Sequence, residues 1–158
     1  MPLPDMHSEA LGIAVVDDHD IIHTGVAAQC AQADPPVGVV SSHLTAESFL
    51  IAHPVVTPGL SAVVLDLELR SRKPDFAALT EIVDVGHTVI VYTHLENDEV
   101  ILRCMDLGAV TYLAKSEGQH HLIEAIRAAG SALDRADLDP EGEQMLRELI
   151  GIAVARAA

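Results

Sequence analysis

Residues 61–66 read SAVVLD, an apolar, β-rich run that ends abruptly on a carboxylate. Four other runs share its character: GIAVVD (12–17), VGVVS (37–41), TVIVYT (88–93) and AVTYL (109–113). Each is apolar almost throughout, with no polar-apolar alternation, which is the pattern of strands covered on both faces. Stretches of helical character lie between them. DIIHTGVAAQCAQA (20–33) places Ile21, Ile22, Val26 and Cys30 near helical spacing. TAESFLIAH (45–53) opens on Thr45, an N-cap residue. DFAALTEIVDVG (75–86) and NDEVILRCMDLG (97–108) both stop on Gly, a normal helix end, and the second starts on an Asn cap. EGQHHLIEAIRAAG (117–130) sets Leu122, Ile123, Ile126 and Ala129 on one face. Five β-α units in succession predict an α/β fold. Specifically, they predict a flavodoxin-like (βα)5 doubly wound parallel sheet with strand order 2-1-3-4-5.

The unit ends at Gly130. SALDRADLDP (131–140) is a polar linker, and residues 141–158 read as one more helix, apolar at Met145, Leu146, Leu149, Ile150 and Ile152. The expected organisation is a domain over 11–130, a linker over 131–140 and a C-terminal helix over 141–158.

Bulk properties exclude several classes. The chain has 158 residues, which suits one α/β domain. Hydrophobic residues make up 49% and aromatics only 3%, so the core is aliphatic. No run approaches the roughly 18 apolar residues of a membrane span, and the N-terminal residues lack the basic and apolar regions of a signal peptide. The two cysteines, Cys30 and Cys104, have no metal-type spacing, and a reducing cytoplasm fits them. With 24 acidic and 9 basic residues the net charge is −15. Such a surface repels phosphate backbones, so DNA binding by this chain alone is not expected.

A carboxylate at the end of a buried strand is costly unless it is solvated, paired or used. In open α/β sheets, ligands bind beyond the carboxyl ends of the strands. Strand 1 ends in Asp17 and Asp18, strand 3 in Asp66 and strand 4 in Thr93, and Lys115 follows strand 5. In the order 2-1-3-4-5 these ends converge on one pocket. Clustered carboxylates repel, and a hard dication such as Mg2+ relieves the repulsion with oxygen ligands. An anionic phosphoryl donor can then approach, and Asp66 can attack phosphorus. Lys115 supplies a fixed positive charge and Thr93 a hydroxyl donor for phosphoryl oxygens.

These residues resemble the receiver domain of two-component response regulators. The match is carried by VVDDHD with Asp17 and Asp18, VVLDLE with Asp66, VIVYTH with Thr93, and GAVTYLAKS with Tyr112 and Lys115. The resemblance implies Asp66 as phosphoacceptor, and Asp17 and Asp18 as the Mg2+-binding acidic pair. It implies the Glu68 backbone carbonyl as a further metal ligand, Thr93 and Tyr112 as a switch pair, and Lys115 as the phosphoryl contact. It also implies a sensor histidine kinase as partner, and switching of dimerisation or of an output domain that regulates transcription. DDH with His19 and Lys-Ser after strand 5 are most similar to NarL/LuxR-type regulators. LDPEGEQMLRELI (138–150) resembles the first helix of their helix-turn-helix output domain. The loop LELRSRKPDF departs from the family pattern, and His94 stands where small residues are usual.

Other readings compete. Asp17 and Asp18 can act as helix caps, Thr93 as an ordinary strand residue and Tyr112 as a packing aromatic. His19 and His23 have the i, i+4 spacing of a zinc pair, but no third ligand is evident. Two alternative functions are a non-phosphorylated interaction module with a receiver-like fold and a haloacid-dehalogenase-type phosphatase. The phosphatase family usually carries its nucleophile first in the chain and the acidic pair last, whereas here the pair comes first.

Overall fold

The computed structural model describes residues 11–69, 73–95, 97–117 and 120–136. Five strands, β1 (Gly12–Val16), β2 (Gly38–His43), β3 (Ala62–Leu65), β4 (Val89–Thr93) and β5 (Thr111–Ala114), form one sheet. All neighbouring pairs run parallel, in the expected order β2-β1-β3-β4-β5. The helices between and after them are α1 (Asp20–Gln32), α2 (Ala46–Ala52), α3 (Phe76–Val85), α4 (Asp98–Asp106) and α5 (His120–Ala136).

Strands β1, β3, β4 and β5 are buried on both faces because a helix layer covers each. Val26 and Cys30 of α1 and Leu122, Ile126 and Ala129 of α5 pack on Ile13, Val15, Val64 and Ile90. Phe49 of α2, Leu79 and Ile82 of α3, and Ile101 and Cys104 of α4 pack on Val16, Leu65, Val91 and Tyr112. Cys30 and Cys104 therefore lie on opposite sides of the sheet and cannot pair. Burial raises both thiols, Cys104 to about 12, so neither is reactive.

Helix boundaries follow local chemistry. The Thr45 hydroxyl accepts from Ser48 N–H, the Asp75 carboxylate from Ala78 N–H and the Asn97 carbonyl from Glu99 N–H. Gly86 closes α3 in the left-handed region at φ 109°.

Three expectations differ. Ile21 is 79% exposed, so the buried stripe of α1 runs through Val26 and Cys30, with Ile22 at its margin. β2 continues through Ser41 and Ser42 to His43; it is an edge strand whose successive residues alternate between exposed and half-buried. Helix α5 passes through Gly130 to Ala136, although Gly130 reads as its stop. That glycine serves close packing: a Cβ there would lie 2.6 Å from Leu11 Cδ2. Residues 131–136 of the expected linker are thus helical, and the expected helix over 141–158 lies outside the described residues.

A histidine cluster secures the β2–α2 edge. The Phe49 ring stacks on His53 at 5.0 Å and meets His87 edge-on at 5.0 Å and His43 at 5.7 Å. His53 Nε2 lies 2.7 Å from Ser41 Oγ, and His43 Nδ1 lies 2.7 Å from Ser48 Oγ. Burial, and then the neighbouring histidines, hold His43 and His53 below the usual range. The unfolded chain therefore binds more protons below about pH 6.5. The stability from this cluster is fully present above that pH and is lost as pH falls through the folded values. His19 is shifted the opposite way but is mostly exposed, so it opposes the trend little. Thermal melts between about pH 7 and pH 5 should show a falling Tm, with a shallower fall in His53→Gln. A slope unchanged by that substitution would contradict this assignment.

Candidate functional site

Strand register sets the site. Val16 pairs with Leu65, so Asp17 and Asp66 follow side by side at the carboxyl ends of β1 and β3. Thr93 pairs with Ala114, which brings Lys115 in from the neighbouring edge. Asp17 and Asp66 are each 2% exposed, whereas Asp18 lies at the rim. Lys115 Nζ donates to Asp17 Oδ2 at 2.7 Å and to Asp66 Oδ2 at 3.3 Å, with all three side chains buried. A single ammonium thus bridges two buried carboxylates, which could not sit together uncompensated.

The remaining predicted residues take distinct positions. Asp66 Oδ1 accepts the Glu68 N–H at 3.1 Å, which fixes the turn leaving β3. Thr93 is fully buried, and its hydroxyl has no hydrogen-bond partner among the described residues. Buried polar atoms are nearly always satisfied, so this hydroxyl at a strand end is notable. Tyr112 is also fully buried, and its hydroxyl donates to the Leu95 carbonyl in the loop after β4. His94 is exposed. In the loop after β3, residues 70–72 lie outside the described residues.

Two histidines enter the site that spacing alone did not place there. His19 and His23 do not face a common point. His23 Nε2 lies 2.7 Å from the Asp17 carbonyl, while Asp17 N–H donates to the His43 carbonyl at 3.0 Å. The main chain of Asp17 is therefore held from both sides. His19 Nδ1 lies 2.9 Å from both Asp17 Oδ1 and Asp18 Oδ1, and 3.9 Å from Asp66 Oδ2. Its hydrogen bond to Asp17 raises its pKa, and the charges of Asp18 and Asp17 add to this against some burial and Lys115. Asp17, Asp18, His19 and Asp66 together place one ligand atom each within 4.8 Å of one another. The His19 ring thus lies against these carboxylates rather than beside His23. The signal was its position next to the acidic pair. A set of carboxylate oxygens, partly buried and partly open, suits a hard dication.

A doubly wound parallel sheet that gathers acidic side chains and a lysine at its carboxyl edge is consistent with phosphorylation-based signalling. Residues 13–127 match the response regulator receiver domain family, and the chain belongs to that family. As a receiver domain it is not an enzyme in the usual sense, which sets the phosphatase alternative aside. It is 28% identical over 124 residues to response regulator GacA of Pseudomonas protegens, covering 73% of this chain and 53% of that protein. GacA of Pseudomonas aeruginosa is 27% identical over the same shares. The chain spans about half the length of these relatives. Among solved structures, a BeF3-activated DrrB receiver domain superposes with TM-score 0.64 at 28% identity, over 77% of this chain and 97% of that one. A LuxR-family response regulator from Aurantimonas sp. SI85-9A1 has the same fold, with TM-score 0.66 at 23% identity over 89% and 97%. No helix among the described residues is long and apolar enough to cross a membrane.

Proposed function

We propose that the protein is a phosphorylation switch in which Asp66 accepts a phosphoryl group from a sensor histidine kinase in the cytoplasm. The observation that carries this reading is Lys115 bridging Asp17 and Asp66 at the carboxyl edge of the sheet. An Asp66 carboxylate oxygen forms the new bond to phosphorus, and the donor's bond to phosphorus breaks with its electron pair leaving on the donor. Lys115 Nζ then pairs with a phosphoryl oxygen, and the unpartnered Thr93 hydroxyl donates to another. Asp17, Asp18, Asp66 and the Glu68 carbonyl would hold Mg2+, which supplies charge neutralisation for the incoming phosphoryl group.

Movement of Thr93 toward the phosphoryl group shifts the loop to which the Tyr112 hydroxyl is bonded. The surface formed by α4, β5 and α5 changes with it and alters homodimerisation or contacts with an output domain. The GacA relatives are about twice the length of the matched span, which leaves room for an output domain there, and we assign transcription regulation and DNA contact to such a domain as part of this reading.

Thr93→Val is the informative variant for the switch. It removes a buried hydroxyl that has no partner among the described residues, so the melting temperature should stay level or rise. Phosphoryl uptake should slow, and the conformational response to it should be lost. A large loss of stability in Thr93→Val would mean that the hydroxyl is already satisfied. Uptake and response at wild-type levels would remove Thr93 from the mechanism.

A further inference from the structure

Exposed apolar side chains are not spread evenly over this chain. Among the described residues seven large hydrophobics are exposed, and five of them fall on β2, α2 and the loops beside α2. They are Val40, Leu44, Ile51, Val55 and Val56, each more than half exposed. We propose that this β2–α2 edge is a self-association surface, through which two unphosphorylated copies of the chain meet about a two-fold axis. It lies at the opposite edge of the sheet from β5 and is separate from the surface formed by α4, β5 and α5.

The strip is held in place by its own hydrogen bonds. Ser41 Oγ and His53 Nε2, 2.7 Å apart, tie the middle of β2 to the end of α2, between Val40 and Val55. His43 Nδ1 and Ser48 Oγ, also 2.7 Å apart, tie the end of β2 to the first turn of α2, beside Leu44. Ile51 stands on the helix between these two ties and is 81% exposed. Apolar patches of this kind on an otherwise polar surface mark contact sites.

Charge selects the partner. Between Asp34 and Asp66 the only Asp, Glu, Lys or Arg is Glu47, in a chain with 24 acidic and 9 basic residues. His43 and His53 add no charge near pH 7, because burial and neighbouring histidines hold both below the usual range. Two copies of net charge −15 repel in most orientations. Along this stretch they can meet while bringing few like charges together. An anionic partner or membrane finds no lysine or arginine here, and a cationic partner is drawn to the acidic surface elsewhere. A two-fold contact sets a patch against its own copy, and an uncharged apolar patch is complementary to itself.

The contact is made by side chains and not by strand addition. Ile13 pairs with Val39 and Ala14 with Ser41, so Val40 is an extra residue bulged out of β2. A bulge spoils an open strand edge as a template for pairing. The five side chains offer roughly 500 Å² per copy, so a dimer buries about 1,000 Å², near the lower limit for a specific interface. The dimer is therefore weak, with Kd on the order of 10–100 µM.

Sedimentation equilibrium of the full chain from about 1 to 500 µM, without Mg2+ or a phosphoryl donor, tests this. Wild type should dimerise, and Ile51→Glu should weaken the dimer roughly tenfold or more at an unchanged Tm. Ile51→Lys should weaken it as well. An equimolar mixture of the two variants should dimerise again, a rescue that a folding defect would not give. Raising the salt should tighten the wild-type dimer, since it screens the repulsion and leaves apolar burial intact. Wild type that stays monomeric throughout would overturn the proposal. A monomer whose Ile51→Glu variant melts lower would overturn it too, because the chain would then cover the strip with its own residues. A dimer that survives Ile51→Glu but is lost in Leu102→Glu would move the contact to α4 and also overturn it. Loosening by salt, or a mixture no better than either variant alone, would equally contradict an apolar two-fold contact. Phosphoryl uptake enters none of these readouts, so failure here leaves the switch standing.

Discussion

Asp66→Asn takes up no phosphoryl group when incubated with acetyl phosphate and Mg2+, whereas the wild type gains a single phosphoryl adduct in its intact mass. The effect is expected to be all or none, because a neutral amide is a far poorer nucleophile than a carboxylate toward phosphorus. The fold should survive. Asn is nearly isosteric with Asp, and Lys115 keeps its 2.7 Å bond to Asp17. An adduct of equal yield in Asp66→Asn would move the acceptor elsewhere. No adduct on the wild type, under conditions that modify another receiver, would favour a receiver-fold interaction module that does not depend on phosphorylation.

Lys115→Met has the second large effect, on stability in the absence of metal. Its ammonium is the charge that lets Asp17 and Asp66 share a buried site. Removing one partner of a buried ion pair costs about 3–5 kcal/mol, because the other charges remain without compensation. For a domain of this size that lowers Tm on the order of 10 °C or more. Saturating Mg2+ should recover part of the loss, since a cation that binds only the folded state stabilises it by mass action. The double variant with Asp66→Asn should lose less than the sum of the two single changes, because the residues share one network. A metal-free Lys115→Met protein that melts like wild type would show that the bridge contributes nothing.

The fold was largely legible because the signals were redundant. Continuous apolar runs marked buried strands, and Thr45, Asn97 and Gly86 marked helix ends at positions where the structure uses their caps. The misreadings have physical causes. Gly130 resembles a helix stop, but its missing side chain makes room for Leu11. Ser41 and Ser42 looked like the end of β2, yet in this edge strand Ser42 is exposed and Ser41, on the half-buried face, is paired with His53 Nε2. Ile21 fits a helical period counted from its neighbours, but the stripe that faces the sheet is set by where α1 docks.

The site was legible to the extent that strand order decides it. Asp17, Asp66, Thr93 and Lys115 could be placed from the ends of four adjacent strands. What spacing could not show was the direction of side chains. His19 and His23 looked like an i, i+4 pair, but one ring turns to the carboxylates and the other supports the Asp17 main chain. The unpartnered Thr93 hydroxyl was also invisible, since satisfaction of a buried group depends on all its neighbours.

The protein has two tyrosines, two weakly absorbing phenylalanines and no tryptophan, so its tyrosine absorption and emission come from two rings. Tyr92 lies with its ring 6.0 Å from Lys115 Nζ, and Tyr112 is hydrogen-bonded to the loop that follows Thr93. One chromophore thus senses the charge in the pocket and the other the position of the loop. Without a stronger indole signal to mask them, the chain carries its own optical reporters, and the proposed switch can be followed in solution without a label.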